Sequence, residues 1–338
     1  MKKSFGTLPG GRETFLYSIT CGGITAEITD FGAALVSLYV PGKDGNAADV
    51  VLGYDDCLGY LQDTCFLGSI VGRSANRIKG SRFTINGKQY TMIPNENDNN
   101  LHSGPEYYHL RMWTVAEYTE NTIALELNSP DGDQGFPGNA RIRVTYTLDT
   151  QGGLHITYDG ICDKDTIFNL TNHSYFNLAG QDRPEKAMEQ ILSIPARVFT
   201  VADNESIPTG EVRSVVDTPM DFRKPKTIGR DIEADYESLH LQGGYDHNFE
   251  VFCNPCAQLA DPESGRMMAV YTDLPGIQFY AGNFLKGTGK GGAVCTKRSG
   301  IALETQFWPD SANHPEWAQP FVRAGERYHS ETIYRFTW

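Results

Sequence analysis

Four short polar segments set among apolar residues hold the side chains best suited to acid–base chemistry. Asn99-Asn-Leu-His-Ser-Gly104 places His102 at a loop-to-strand junction, and Asn169-Leu-Thr-Asn-His-Ser-Tyr-Phe-Asn177 surrounds His173 with amides and hydroxyls. Gly243-Gly-Tyr-Asp-His-Asn-Phe249 sets Asp246 beside His247, and Gly300-Ile-Ala-Leu-Glu-Thr-Gln-Phe-Trp-Pro309 sets Glu304 in a strand-like apolar run. Carboxylates and imidazoles are the groups that most readily move protons near neutral pH. On a strand, Leu303 and Thr305 share one face while Ala302, Glu304 and Gln306 share the other. That pattern suits a solvent face and a concave polar face equally, so the sequence leaves the place of Glu304 open. Among the other histidines, His155 reads as an ordinary strand position and His109, after Tyr107-Tyr108, as packing; His240, His314 and His329 have no chemically suggestive partners.

Other chemistries find less support. Ser103 and Ser174 each neighbour a histidine, but adjacent side chains on a strand point to opposite faces, and no GxSxG elbow is present. Gly72-Arg-Ser-Ala-Asn-Arg77 lacks the glycines and lysine of a phosphate loop. Gly287-Thr-Gly-Lys-Gly-Gly292 lacks the strand–loop–helix setting and reads as a flexible surface loop. Cys253 and Cys256 form a lone CxxC with no second pair and no nearby histidine pair, so no zinc site is expected.

The elements that must position these groups are strands. Ile24–Thr29 and Ala34–Val40 alternate with period two, and Pro41-Gly42 ends the second. Asn86-Gly87 turns a hairpin within Arg82–Met92, since both residues tolerate the positive φ of a type I′ turn. Glu120-Asn121 and Gly152-Gly153 mark two further hairpins, within residues 113–127 and 141–158. Strands are again expected near 267–271, 277–280 and 328–336, and helix only at Asp56–Gln62 and around Glu185–Gln190. No fixed-period repeat and no linker divides the chain, so residues 1–338 are read as one all-β domain whose strands must close by sandwich or barrel packing. Long polar loops at 95–106, 128–139, 203–246 and 286–299 are where a site would sit.

Composition narrows the partners. Lys and Arg number 29 against 42 Asp and Glu, a net charge of −13 without a basic run, which argues against nucleic acid, an anionic membrane surface or a heavily phosphorylated ligand. The start of the chain shows no apolar leader core and no stretch approaches ~18 apolar residues. Seven scattered cysteines suit a reducing compartment. The expectation is a soluble cytoplasmic protein.

Taken together, Gly72-Arg-Ser-Ala-Asn-Arg-Ile78, Asn100-Leu-His-Ser-Gly104, Asn169-Leu-Thr-Asn-His-Ser-Tyr-Phe-Asn-Leu178, Gly244-Tyr-Asp-His-Asn-Phe249 and Ala302-Leu-Glu-Thr-Gln306 with Pro309-Asp310 resemble the aldose 1-epimerase family. They occur in the family's order and extend from residue 72 to 310. The resemblance implies a large antiparallel β-sandwich that interconverts α and β anomers of free aldohexoses, such as galactose and glucose, with no cofactor and no metal. It implies Glu304 as general base, His173 as general acid and His102 as a second imidazole near the ring oxygen. Asn76, Arg77, Asp246 and Gln278 match the family's sugar contacts, with Ser174 and Tyr175 completing the His173 segment; Arg73 matches less well. Ser103 stands where the family usually has Gly, and Phe307-Trp308 replaces a more polar pair. A monomer or homodimer is expected.

Four other readings use the same residues. A glycoside hydrolase would pair Glu304 with Asp246. A metalloenzyme would take His102, His173 and Glu304 as a facial triad, without the usual HxH or HxD spacing. A sugar-binding module would use the fold without turnover. A hexose-6-phosphate epimerase would want several arginines, and the chain offers little beyond Arg73 and Arg77.

Overall fold

The computed structural model describes residues 1–338, and its strands pair antiparallel throughout. Five N-terminal strands between Lys2 and Asp49 form a sheet in simple chain order. Nine strands form the large sheet, with Arg327–Thr337 in its middle between Gly153–Cys162 and Met267–Thr272. A six-stranded sheet packs on it, ordered Tyr175–Phe176, Ile301–Gln306, Gly276–Tyr280, Asp246–Glu250, Val198–Ala202 and Pro208–Ser214. The architecture is the expected all-β sandwich.

Period-two sequence explains the large sheet. Ala140–Leu148 and Arg327–Thr337 bury alternate residues, turning Ile142, Val144, Tyr146, Tyr328, Tyr334 and Phe336 inward. These join one apolar core that runs from Tyr17 to Phe336. Across the layers, Tyr334 donates its hydroxyl to Leu303 O at 2.9 Å and the hydroxyls of Thr305 and Thr332 meet at 2.5 Å. The strand carrying Glu304 is thereby bolted to the sheet behind it.

The three hairpins form where expected, and Asn86 and Gly87 take φ of 51° and 77°. Asp56 caps a short helix at Cys57–Leu61 by accepting from the amides of Leu58 and Gly59. A 3₁₀ helix occupies Pro184–Glu189. Two expectations need correction. The 203–246 segment is not only loop: it contains the strand Pro208–Ser214 and a helix, Glu237–Gln242, closed by Gly243 at φ 65°. The Gly287–Gly292 segment is not a free surface loop either. Lys290 is buried, and its ammonium donates to Val36 O, Ser37 Oγ, Asp49 Oδ2 and Val51 O at 2.5–3.1 Å. No helix is long and apolar enough to cross a membrane.

Candidate active site

The strand Ile301–Gln306 brings Glu304 to a cavity of about 270 Å³. Glu304 pairs with Gln278, which pairs with Asn248; two residues along, Ala302 pairs with Tyr280 and Tyr280 with Asp246. Directly paired residues share a face. This face is opposite Leu303 and Thr305, which point to the core. Glu304 is only 2 % exposed, so the strand turns its carboxylate into the concave side rather than to solvent.

His173 arrives from the short strand Thr171–His173, held by pairing with Ser69–Val71. Its Nε2 lies 3.5 Å from Glu304 Oε1, while His173 Nδ1 and Glu304 Oε2 have no protein partner. His102 follows the Asn100–Leu101 strand, which pairs with Arg77–Ile78 and so ties two motifs together. The Asn76 amide donates to His102 Nδ1 at 3.1 Å, which leaves the proton of the neutral ring on Nε2. His102 and Ser103 are both left-handed, at φ 53° and 60°. The Ser103 hydroxyl accepts from Ser74 N–H and donates to Ser74 O, each at 2.9 Å, which holds the turn without a glycine. Phe66 packs against the rings of His102, His109 and His173 at 4.7–5.8 Å.

Two further polar assemblies lie at the wall and behind it. Arg77 forks onto Glu96 through Nε and Nη2, at 2.5 and 2.9 Å. Gln306 donates to Gln278 Oε1 at 3.3 Å, and Gln278 donates to Asp246 Oδ1 at 2.6 Å.

Burial governs the protonation states. It pushes Glu304 well above the usual carboxylate range, assisted by the charge of Asp246 and opposed by Arg77. It takes His173 down to about 4, and takes His102 well below its ordinary value with help from the charges of His173 and Arg77. Asp246 is also raised by burial, against Arg77 and the Gln278 hydrogen bond. Burial thus raises the proton affinity of Glu304 and lowers that of His173, which favours the carboxyl over the imidazole as the proton's place.

Asn76, Arg77, His102, His173, Tyr175, Asp246 and Glu304 all line the cavity. Gln278 stands one hydrogen bond behind it, through Asp246. Ser174 lies outside: its hydroxyl donates to Asn172 Oδ1 at 2.5 Å, on the opposite side from its neighbours. Phe307 and Trp308 also lie away from the cavity; the Phe307 amide donates to Asn169 Oδ1 and the Trp308 indole to Pro275 O. The sequence reading passed over Glu96, Phe66, Tyr280 and Lys286, which line the wall. Nothing local to Glu96 marks it, because its partner lies 19 residues away.

The aldose 1-epimerase family model matches residues 16–335. The chain belongs to the aldose 1-epimerase family. It is 42 % identical to the galactose mutarotase of Mus musculus, covering 98 % of this chain and 97 % of the relative. It is 38 % identical to the aldose 1-epimerase of Escherichia coli strain K12, over 93 % and 92 % of the two chains. Its fold superposes on an aldose epimerase homologue from C. elegans with a TM-score of 0.89 at 33 % identity, covering 96 % and 99 %. Against the family pattern, Ser103 is accommodated by its two hydrogen bonds to Ser74, and Phe307-Trp308 lies off the cavity lining.

Proposed function

We propose that the chain works as a single-domain aldose mutarotase that opens and recloses the ring of a free aldohexose such as galactose or glucose. Glu304 serves as base at the C1 hydroxyl and His173 as acid at the ring oxygen. The observation that carries this reading is the 3.5 Å separation of His173 Nε2 and Glu304 Oε1. The two oxygens of a hemiacetal that trade a proton sit on one carbon, so the groups serving them must lie side by side.

In the forward step Glu304 takes the C1 hydroxyl proton, the C1–O5 bond breaks to leave an aldehyde, and His173 gives its proton to O5. Rotation about C1–C2 presents the other carbonyl face, and the transfers reverse. Starting this cycle needs the shared proton on His173, against the direction in which burial alone pushes the pair. Sugar hydroxyls donating to Glu304, together with the charge of Arg77, favour the carboxylate and move the proton across. His102 offers Nε2–H toward the ring oxygen, while Asn76, Arg77 and Asp246 hold the other hydroxyls.

A positioned acid or base contributes roughly 10²–10⁴ in rate. Polarimetry of freshly dissolved α-D-galactose and α-D-glucose tests the reading. The protein accelerates the approach to equilibrium rotation, and Glu304→Gln loses at least about a hundredfold in kcat. Full activity in that variant would remove Glu304 from the role.

A further inference from the structure

The arrangement of charge around the cavity decides which aldoses can enter, an inference that rests on the mutarotase reading. Arg77 is the arginine at the cavity wall, and Glu96 already holds its Nε and Nη2 in a two-pronged ion pair. Arg73, the other arginine the sequence offers to an anion, is fully buried elsewhere. Its guanidinium donates to Pro137 O, Thr166 Oγ1 and Ser129 Oγ, between the rings of Phe136 and Phe168. Lys286, exposed in the loop after Phe284, is the remaining cation on the lining. Two cations thus face three acidic side chains, Glu96, Asp246 and Glu304, of which Glu96 is the one paired to Arg77.

We propose that Glu96 sets the charge selectivity of the site, admitting neutral aldoses and turning away those that carry a carboxylate or a phosphate. An anion approaching Arg77 must displace Glu96 or accept its repulsion, and Asp246 adds to that repulsion. A neutral hydroxyl has no such conflict. It can take a hydrogen bond from Nη1, the guanidinium nitrogen that Glu96 leaves free. Glu96 has the further effect of holding Arg77 in one orientation toward the sugar. Its removal shifts the wall by a full positive charge and unmasks a guanidinium.

The test measures anomer exchange by NMR magnetisation transfer at C1–H for D-galactose, D-galacturonate and D-galactose 6-phosphate. Affinities for the same three sugars are measured alongside by calorimetry. The wild-type protein prefers galactose by roughly a hundredfold or more in kcat/KM, and Glu96→Gln raises the anionic-to-neutral ratio by about tenfold or more. Glu96→Asp, which keeps the charge, holds the ratio near the wild-type value. Glu205→Gln is the control for loop order, because Glu205 accepts from Asn97 and Asn99 of the same loop without touching Arg77; it leaves the ratio unchanged. Wild-type protein that handles anionic and neutral sugars alike would overturn the proposal. So would a ratio that stays put in Glu96→Gln, or one that Glu205→Gln moves as far. Failure to accelerate any aldose would instead sink the mutarotase reading, and the calorimetric ratio would still judge the role of Glu96.

Discussion

At the residue scale, the site depends on polar groups that are oriented by other polar groups. Gln278 donates its amide to Asp246 while Gln306 donates to the far end of Gln278, so both neighbours agree on which way that amide points. Gln306→Glu replaces the donor with an acceptor, so the Gln278 NH₂ is drawn away from Asp246. The expected result is a rise in KM of about tenfold with kcat changed far less, read from initial rates on galactose. A fall in kcat at constant KM would place Gln306 in the chemistry instead. The histidines and Glu304 were legible because their motifs are contiguous in the chain. The side to which Glu304 points was not, because Ala302 and Gln306 suit a wet face and a concave one alike. Only pairing with Gly276–Tyr280, and burial under loops from elsewhere, decides it. The pairing of Arg77 with Glu96 was invisible for a related reason: it joins a strand to a loop residue 19 positions on, with no periodic signature.

At the scale of elements, hairpins were readable wherever period-two alternation met a turn with residues that accept positive φ, as at Asn86-Gly87. The six-residue helix Glu237–Gln242 was not, since so short a segment gets little stability from its own propensity and depends on burying Leu239 in the core. The Gly287–Gly292 segment misled by composition. Its glycines suggest mobility, yet Lys290 plugs into the N-terminal sheet at Asp49 and three other acceptors. That anchor restrains the connection between Gly276–Tyr280 and Ile301–Gln306, which also carries Phe284 and Lys286 to the cavity rim. Lys290→Met leaves Asp49 and two backbone carbonyls without their cation, a loss of roughly 3 kcal/mol or more. Urea unfolding should show a lower midpoint, and limited proteolysis should cut first between residues 285 and 299. An unchanged midpoint would mean the anchor is dispensable.

At the scale of the whole molecule, several histidines are buried uncharged, and their proton affinities link stability to pH. His109 is held down to about 3 by burial and then by the charge of His173, and His173 and His247 are each held at about 4 by burial. Near pH 6.5 the unfolded chain takes up the protons of His109 and His247, so through these two it binds more protons than the folded one between there and about 4; the proton His173 does not take is offset by the one that buried Glu304 keeps. The contribution of His109 and His247 to stability therefore falls as the pH is lowered through that window, by roughly 1–2 kcal/mol each between pH 6.5 and 5. Urea midpoints over this range should show the decline, and His109→Phe, which keeps a ring against Phe66, should make it shallower. An equal slope in that variant would remove His109 from the account. The sandwich class was readable from strand content, whereas the order of strands within each sheet was not, because distant pairings leave no local mark. That order has a consequence for synthesis. Arg327–Thr337 follows every other member of the nine-stranded sheet along the chain, yet lies at its centre and backs the strand of Glu304. While the ribosome is still translating, the nascent polypeptide can hold only two half-sheets with open edges, each a surface for wrong pairing. Translation must pass the last of these strands before the two halves can join behind Glu304, so a stalled or shortened product is inactive and prone to aggregate.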